Sequence, residues 1–537
     1  MVNHITIELL SDHRVITFAK QQFIELSGHE VLVGQTTFQR VIMGTFATFI
    51  EQDLNLAIEI GSKLVETNYS DEMLIHQAAG TLYIIGTSPR AVLFAVYHYF
   101  ETVHGMRWIY PGQPPVFHNG EQLSSSPLHV TPLIERRGFV IETIDDLTFI
   151  KPLIDWLAKQ KVNECFFTFT LWDKISSEIH DMLQDRGIDI TLGGHSSSFF
   201  LQQLRSEAVA DHPYTAKKQL DYSDMSWQGD LIERISQYCQ PITNLRRISL
   251  WPEDIKHQSS SQFLSHYIEF TERLGVALHG QGLKVDVEHI AYNAGLSWDM
   301  LERQGQAVSS QINTLYAYWG RDYRYDLGNA ESDSDHRAYA ALLDWKGQIE
   351  QQANKLTIFE YYSDHFMLSP LFPMLAQRIH NDVRSYAALG IHGITNLIVP
   401  CQVEDYSYQW NQNFNSYVFA KACWNADVEE VVEAYIQYFP VELQATVRKL
   451  LTELEQVVTV LTSWNVPLFP ARAVDPLKVS EVSDEQRDLI VKQLEQLIKL
   501  VQSYSKASEV VSCEQLQQTL RHYERYASAV KEQWLTI

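Results

Sequence analysis

Cysteine is scarce in this 537-residue chain: the five present, Cys165, Cys239, Cys401, Cys423 and Cys513, are scattered and odd in number. With no C-x-x-C pair among them, a disulfide framework and a zinc ribbon are excluded, and reduced thiols are expected. Basic residues are also in short supply, 42 Lys and Arg against 66 Asp and Glu, for a formal charge of -24. A basic face is needed to displace counterions from nucleic acid or an anionic membrane, so neither is an expected partner. No apolar run approaches the length of a membrane span, and the opening M-V-N-H-I-T-I-E-L-L lacks a basic n-region followed by an apolar h-region. A cytoplasmic location is the expectation. Missing too are a phosphate-binding glycine loop, a dinucleotide fingerprint, and any H-x-H or H-E-x-x-H spacing, so no cofactor and no metal are expected.

What is present is a folded, multidomain composition: 45% hydrophobic and 12% aromatic residues, with no low-complexity tract. Near the start, I-T-I-E-L-L, V-I-T-F-A-K, N-L-A-I-E-I and T-L-Y-I-I-G alternate apolar and polar residues and predict half-buried strands. The run P-R-A-V-L-F-A-V-Y-H-Y-F-E-T-V-H-G predicts a helix capped by Ser88, begun by Pro89 and stopped by Gly105. A small α/β domain over roughly residues 1–130 follows, closed by the Pro-, Gly- and Ser-rich connection P-G-Q-P-P-V-F-H-N-G-E-Q-L-S-S-S-P.

Beyond it, eight short apolar strands alternate with amphipathic helices: R-G-F-V-I-E-T, N-E-C-F-F-T-F, I-D-I-T-L-G-G-H, R-I-S-L-W-P-E-D, K-V-D-V-E-H-I-A-Y, I-N-T-L-Y-A-Y-W, K-L-T-I-F-E-Y-Y and G-I-T-N-L-I-V-P. That pattern predicts a (β/α)8 TIM barrel over residues 131–410. From residue 411 to 537 the apolar residues recur at helical spacing, predicting a helical C-terminal domain whose apolar stripes leave room for a homodimer.

In such a barrel the chemistry sits at the carboxyl ends of the strands. Glu253 and Asp254 end the fourth strand and Glu360 lies at the end of the seventh. A pair of carboxyl groups across a barrel mouth suits glycoside hydrolysis, one protonating the departing oxygen and the other acting as nucleophile, base or electrostatic stabiliser. Each has a plainer reading: Glu253 and Asp254 precede a helix whose dipole favours acids, and Glu360 could hold a neighbouring arginine. His195 follows the third strand, His289, Tyr292 and Asn293 the fifth, Tyr318, Trp319, Arg321 and Asp322 the sixth, and Asp364 and His365 the seventh. With Trp251, the rings among them offer flat faces to a sugar while the polar groups hold its hydroxyls.

The runs R-R-G-F-V-I-E-T, K-V-N-E-C-F-F-T-F and D-R-G-I-D-I-T-L-G-G-H-S resemble the first three barrel strands of the β-N-acetylhexosaminidases, glycoside hydrolase family 20. The preceding Y-I-I-G-T-S-P-R-A-V-L-F-A-V-Y-H-Y-F is similar to the small α/β domain of those enzymes and of the family 67 α-glucuronidases. The later I-H-N-D-V-R-S-Y-A-A-L-G-I-H-G-I-T and S-Y-V-F-A-K-A-C-W-N-A-D-V-E-E-V-V resemble a bacterial family, formerly a domain of unknown function, related to glycoside hydrolase family 163. The resemblance implies that Arg137 binds sugar hydroxyls, that His195 is a site residue, and that Glu253 with Asp254 matches the strand-four acidic pair. In family 20 that pair runs Asp then Glu; here it runs Glu then Asp. Neighbours on a strand point to opposite sides, so the reversal leaves substrate-assisted and direct two-carboxylate mechanisms both open.

The expectation is therefore a glycoside hydrolase, exo-acting on an N-acetylhexosaminide or related glycoside, with Glu253 as acid/base and Glu360 or Asp254 as its partner. The rivals are a carbohydrate-binding or sensing protein on a barrel without chemistry, and a metal-dependent or aldolase-type barrel, which the missing ligand spacing and strand-end lysine disfavour.

Overall fold

Eight parallel strands close into a barrel: β8 (Arg136–Ile141), β9 (Glu164–Thr168), β10 (Asp189–Gly194), β11 (Leu245–Leu250), β12 (Asp286–Tyr292), β13 (Asn313–Ala317), β14 (Leu356–Asp364) and β15 (Gly393–Val399), with β15 returning to β8. These are the eight runs singled out in the sequence, and the chain is a TIM barrel. The computed structural model describes residues 5–28, 38–52, 70–142, 144–207, 220–253, 262–293, 298–303, 305, 306, 308–368, 371–399, 410–461 and 483–536.

The strands are apolar on both faces because helices cover the outside and side chains fill the inside. The floor of the barrel is unusually polar. Arg136 Nε lies 2.5 Å from Glu164 and its Nη1 2.7 Å from Glu288, while Arg247 Nη1 lies 2.5 Å from the second Glu164 oxygen. With all four groups buried, each charge has a fixed opposite partner, which is the condition for burying charge at all. Gly193 on β10 is required by contact: a Cβ there would lie 1.7 Å from the Ser249 carbonyl oxygen.

Ahead of the barrel, β1 (Thr6–Leu9), β2 (Arg40–Thr45), β3 (Met73–Ala78), β4 (Thr81–Gly86) and β7 (Leu128–Val130) form one mixed sheet in the order β1-β2-β4-β3-β7. The helix Pro89–Val103 packs on it, with Ser88 Oγ accepting from the Ala91 amide at 3.1 Å. V-I-T-F-A-K is not a strand: it lies in the helix Arg14–Ser27. Val15, Ile16, Ala19, Phe23 and Leu26 of that helix are buried, a 3.6-residue stripe that six residues are too few to distinguish from alternation. N-L-A-I-E-I lies outside the described residues. The connection after Gly105 contains a short ribbon, β5 (Met106–Arg107) with β6 (Val116–Phe117).

The two units are bolted together by buried charge. Asp71, in front of β3, takes Arg137 at 2.5 Å, Arg90 at 3.0 Å and Asn163 at 2.9 Å, and Glu101 takes Lys161 at 2.6 Å. Burial opposes ionisation of Asp71, but Arg90 and Arg137 win and hold its carboxyl down to about 2. After the barrel only helices occur among the described residues, including Val441–Leu461, Asp484–Ser505 and Glu514–Thr536. The last of these touches the barrel through Tyr523, whose hydroxyl donates to the Leu371 carbonyl at 2.8 Å.

Candidate functional site: the barrel mouth

Side chains alternate along a strand, so neighbouring residues of one strand end serve two different places. On β14, Phe359 and Tyr361 face the barrel mouth, while Glu360 faces the helices outside the wall. The mouth holds a cavity of about 260 Å³ lined by Glu142, His195, Trp251, Ile290, Tyr292, Trp319, Phe359, Tyr361, Asp364, Phe366 and Leu397. All seven contributing strands or their ends deliver these residues from the carboxyl side, the end at which barrel enzymes work.

Its wall is built of interlocked rings. Trp251 is buried, meets Phe166, Phe359 and His195 edge-on at 5.1, 5.5 and 5.1 Å, and donates its indole N–H to Ser249 Oγ at 2.9 Å. Phe359 and Tyr361 meet edge-on at 4.8 Å. Such contacts fix the rings without ligand, so little ordering remains for binding to accomplish. His195 Nδ1–H donates to the Pro252 carbonyl at 2.5 Å, which assigns the proton to that nitrogen in the neutral ring and leaves Nε2 an acceptor.

The acids differ in their surroundings. Glu142 follows β8 and lines the cavity, its Oε1 3.8 Å from where a Cβ on Gly194 would stand. Asp364 ends β14; its two oxygens accept from the Phe366 amide at 2.9 Å and the Met367 amide at 3.2 Å, at the start of the short helix His365–Leu368. Glu253 follows Trp251 and Pro252, and its Oε1 accepts from the Ser198 amide at 3.0 Å. Asp254 lies outside the described residues.

Several expectations need correction. Glu253 is not among the residues that line the cavity, and neither is Glu360. Glu360 is buried behind the wall, accepting from Arg321 at 3.2 Å, from the Tyr323 hydroxyl at 2.6 Å and from the Tyr386 hydroxyl. Burial raises its pKa, and the nearby Asp382 adds to this against the pull of Arg321. Arg321 is likewise outside the mouth, bidentate to Asp382 at 2.6 and 2.7 Å. With Tyr318 it borders a void of only about 30 Å³ between β13, β14 and the helices Asp333–Ile349 and Ala376–Ala388. His289 also faces outward, against Tyr267 and Trp345, and is fully buried. Burial, slightly opposed by the Asn313 backbone, holds its pKa down to about 3. Arg137 does not line the cavity: its guanidinium bonds Asp71 and the Ile134, Glu135 and Lys161 carbonyls.

Of the expected binding residues, His195, Trp251, Tyr292, Trp319 and Asp364 line the cavity. Glu142 is a site residue that was not expected; it stands within the expected strand R-G-F-V-I-E-T, where it shares a parity with Val140, and that parity is the signal that finds it. Among the described residues no group of three or more His, Cys, Asp or Glu is arranged to hold a metal.

No protein-family model matches the chain, and no curated protein matches it in sequence. Solved structures do match in fold. A family GH115 4-O-methyl-α-glucuronidase with specificity for decorated arabinogalactans aligns over 99% of this chain and 72% of its own, at a TM-score of 0.61 and 12% identity. A GH84 protein, CpGH84B, aligns over 99% and 88%, at 0.55 and 11% identity. A GH20 exo-β-N-acetylglucosaminidase from Vibrio harveyi, solved with N-acetylglucosamine, aligns over 83% and 75%, at 0.50 and 11% identity. The fold resembles that of glycoside hydrolases of these families.

Proposed function

We propose that this protein is a glycoside hydrolase whose chemistry takes place in the mouth cavity, on uncharged glycosides of the N-acetylhexosaminide kind, taken from a chain end. One observation carries the reading: aromatic walls and the carboxylates Glu142 and Asp364 meet in a single hollow at the carboxyl end of the barrel. The fold it shares with glycoside hydrolases, one of them holding N-acetylglucosamine, supports the same class. No Lys or Arg is among the described lining residues, so an acidic sugar would enter beside two acids with no counter-charge. At about 260 Å³ the hollow is smaller than the ~300–1,000 Å³ of pockets that enclose drug-sized ligands, which suits one ring and hence exo action.

In this reading Asp364, its two oxygens oriented by backbone amides, stabilises positive charge at the anomeric carbon or attacks it, and Glu142 donates the proton. The glycosidic C–O bond breaks, the proton goes to the departing oxygen, and water supplies the hydroxyl that completes the reducing sugar. Glu253, tied to Ser198 at the rim, is the competing proton donor. A panel of nitrophenyl glycosides, with Glu142→Gln, Asp364→Asn and Glu253→Gln beside the parent, tests this. Turnover lost in the first two supports the assignment; turnover lost only with Glu253→Gln returns the acid role to that residue. The engagement of both Asp364 oxygens favours a second reading, a sugar-binding protein without chemistry. Binding by calorimetry with no turnover by the parent protein would establish that one.

A further inference from the structure

We infer that Phe366 forms a stacking platform for a second ring of the ligand, the one just outside the hollow, and so sets a preference for glycosides with a cyclic leaving group. The inference rests on the glycoside reading of the mouth and adds to it a subsite on the leaving-group side.

Phe366 is the most solvent-open of the described Phe, Tyr and Trp side chains, 48% exposed, and yet it lines the cavity. Because the open ring borders the cavity, a ligand group leaving the hollow can cover its apolar face and gain hydrophobic stabilisation. The ring is also held firmly. Its backbone amide donates to Asp364 Oδ1 at 2.9 Å, and the ring lies 4.1 Å from that of His365, inclined by 35°. His365 is anchored in turn by Nδ1–H donating to the Val399 carbonyl at 3.1 Å. Platform and carboxylate therefore move as one piece: Asp364, which faces the reacting carbon in the proposed chemistry, is two residues from the ring and bonded to its amide. Because the hollow accommodates one ring, the next ring of any longer ligand must pass over the lip, and an aromatic face there offers C–H and dispersion contact to the flat side of a pyranose or to an aryl group.

The test compares methyl glycosides with the matching β-linked disaccharides of N-acetylglucosamine, glucose and galactose, for the parent protein, Phe366→Ala and Phe366→Trp. Calorimetric binding and turnover are read separately. The expected result is that the second ring improves Kd or KM by about 2- to 12-fold, that Phe366→Ala removes this gain, and that Phe366→Trp retains it. On methyl glycosides, which present no second ring, the effect of Phe366→Ala should be smaller than on the disaccharides, though not zero, because Phe366 also lines the hollow. A gain that survives in Phe366→Ala, an equal loss on methyl glycosides, or no gain from the second ring overturns the platform. Binding that follows the expected pattern without turnover overturns only the hydrolase reading. Turnover with no Phe366-dependent gain overturns only the platform, and failure of every sugar to bind overturns both.

Discussion

The two faces of β14 hold two very different carboxylate environments within five residues. On one face Asp364 joins Glu142 around a hollow of about 260 Å³. On the other Glu360 is enclosed by Arg321, Tyr323 and Tyr386 beside a void of about 30 Å³. Both are aromatic-rich acidic strand ends, and in sequence the second is the more conspicuous. The difference is one of room: a carboxylate already given three donors in a closed nest has no face left for a ligand, whereas acids bordering a sugar-sized hollow can act on whatever enters it.

That contrast can be broken by exchanging what each side loses. Glu142→Gln or Asp364→Asn should cut kcat on a reactive aryl glycoside by about 10²–10⁴ with little change in thermal stability, as read by paired kinetics and melting curves. Glu360→Ala should do the reverse, costing about 3–5 kcal/mol in urea unfolding because the Arg321 network and two tyrosine hydroxyls lose their acceptor in a dry site. A catalytic role for Glu360 would instead appear as lost kcat in a Glu360→Gln protein of near-parental stability.

Acid sharpens the same distinction between structural and reactive charge. The Asp71 carboxyl is held at about 2 against an ordinary 3.8. Its contribution is therefore full above the ordinary value and is lost as pH falls through the folded one. Acid unfolding should show about 2 kcal/mol less loss between pH 4 and 2 in Asp71→Asn, starting from a less stable protein. His289 works at higher pH. It is neutral in the fold with a pKa near 3 against an ordinary 6.5, so its neutral form supports folding above the ordinary value and the support falls away as pH drops below it. His289→Leu should flatten the stability change between pH 7 and 5 by about 2 kcal/mol, with sugar binding unchanged.

The barrel was legible because its evidence is repeated: eight short apolar runs, each followed by a helical pattern, leave few other architectures. The first helix was not, because V-I-T-F-A-K taken alone fits alternation as well as a helical stripe, and only Phe23 and Leu26 further on decide it. The site was half legible. His195, Trp251, Tyr292, Trp319 and Asp364 were findable from their place at strand ends, since position along a strand is set by the hydrophobic run. Glu360, Arg321, Tyr318 and His289 lie away from the mouth because the choice of face depends on a parity that one bulge or one residue of register reverses, and β14 carries such a shift between Glu360 and Ser363. Arg137 points away from the mouth for a longer-range reason: its partner Asp71 lies in another unit, 66 residues away.

The most direct test is a single side-by-side assay of the parent protein, Glu142→Gln and Glu360→Gln on the nitrophenyl glycoside that the parent cleaves best, each first checked for folding. Cleavage lost in Glu142→Gln and retained in Glu360→Gln is the predicted result. Cleavage retained in Glu142→Gln and lost in a folded Glu360→Gln would contradict the assignment of the chemistry to the mouth.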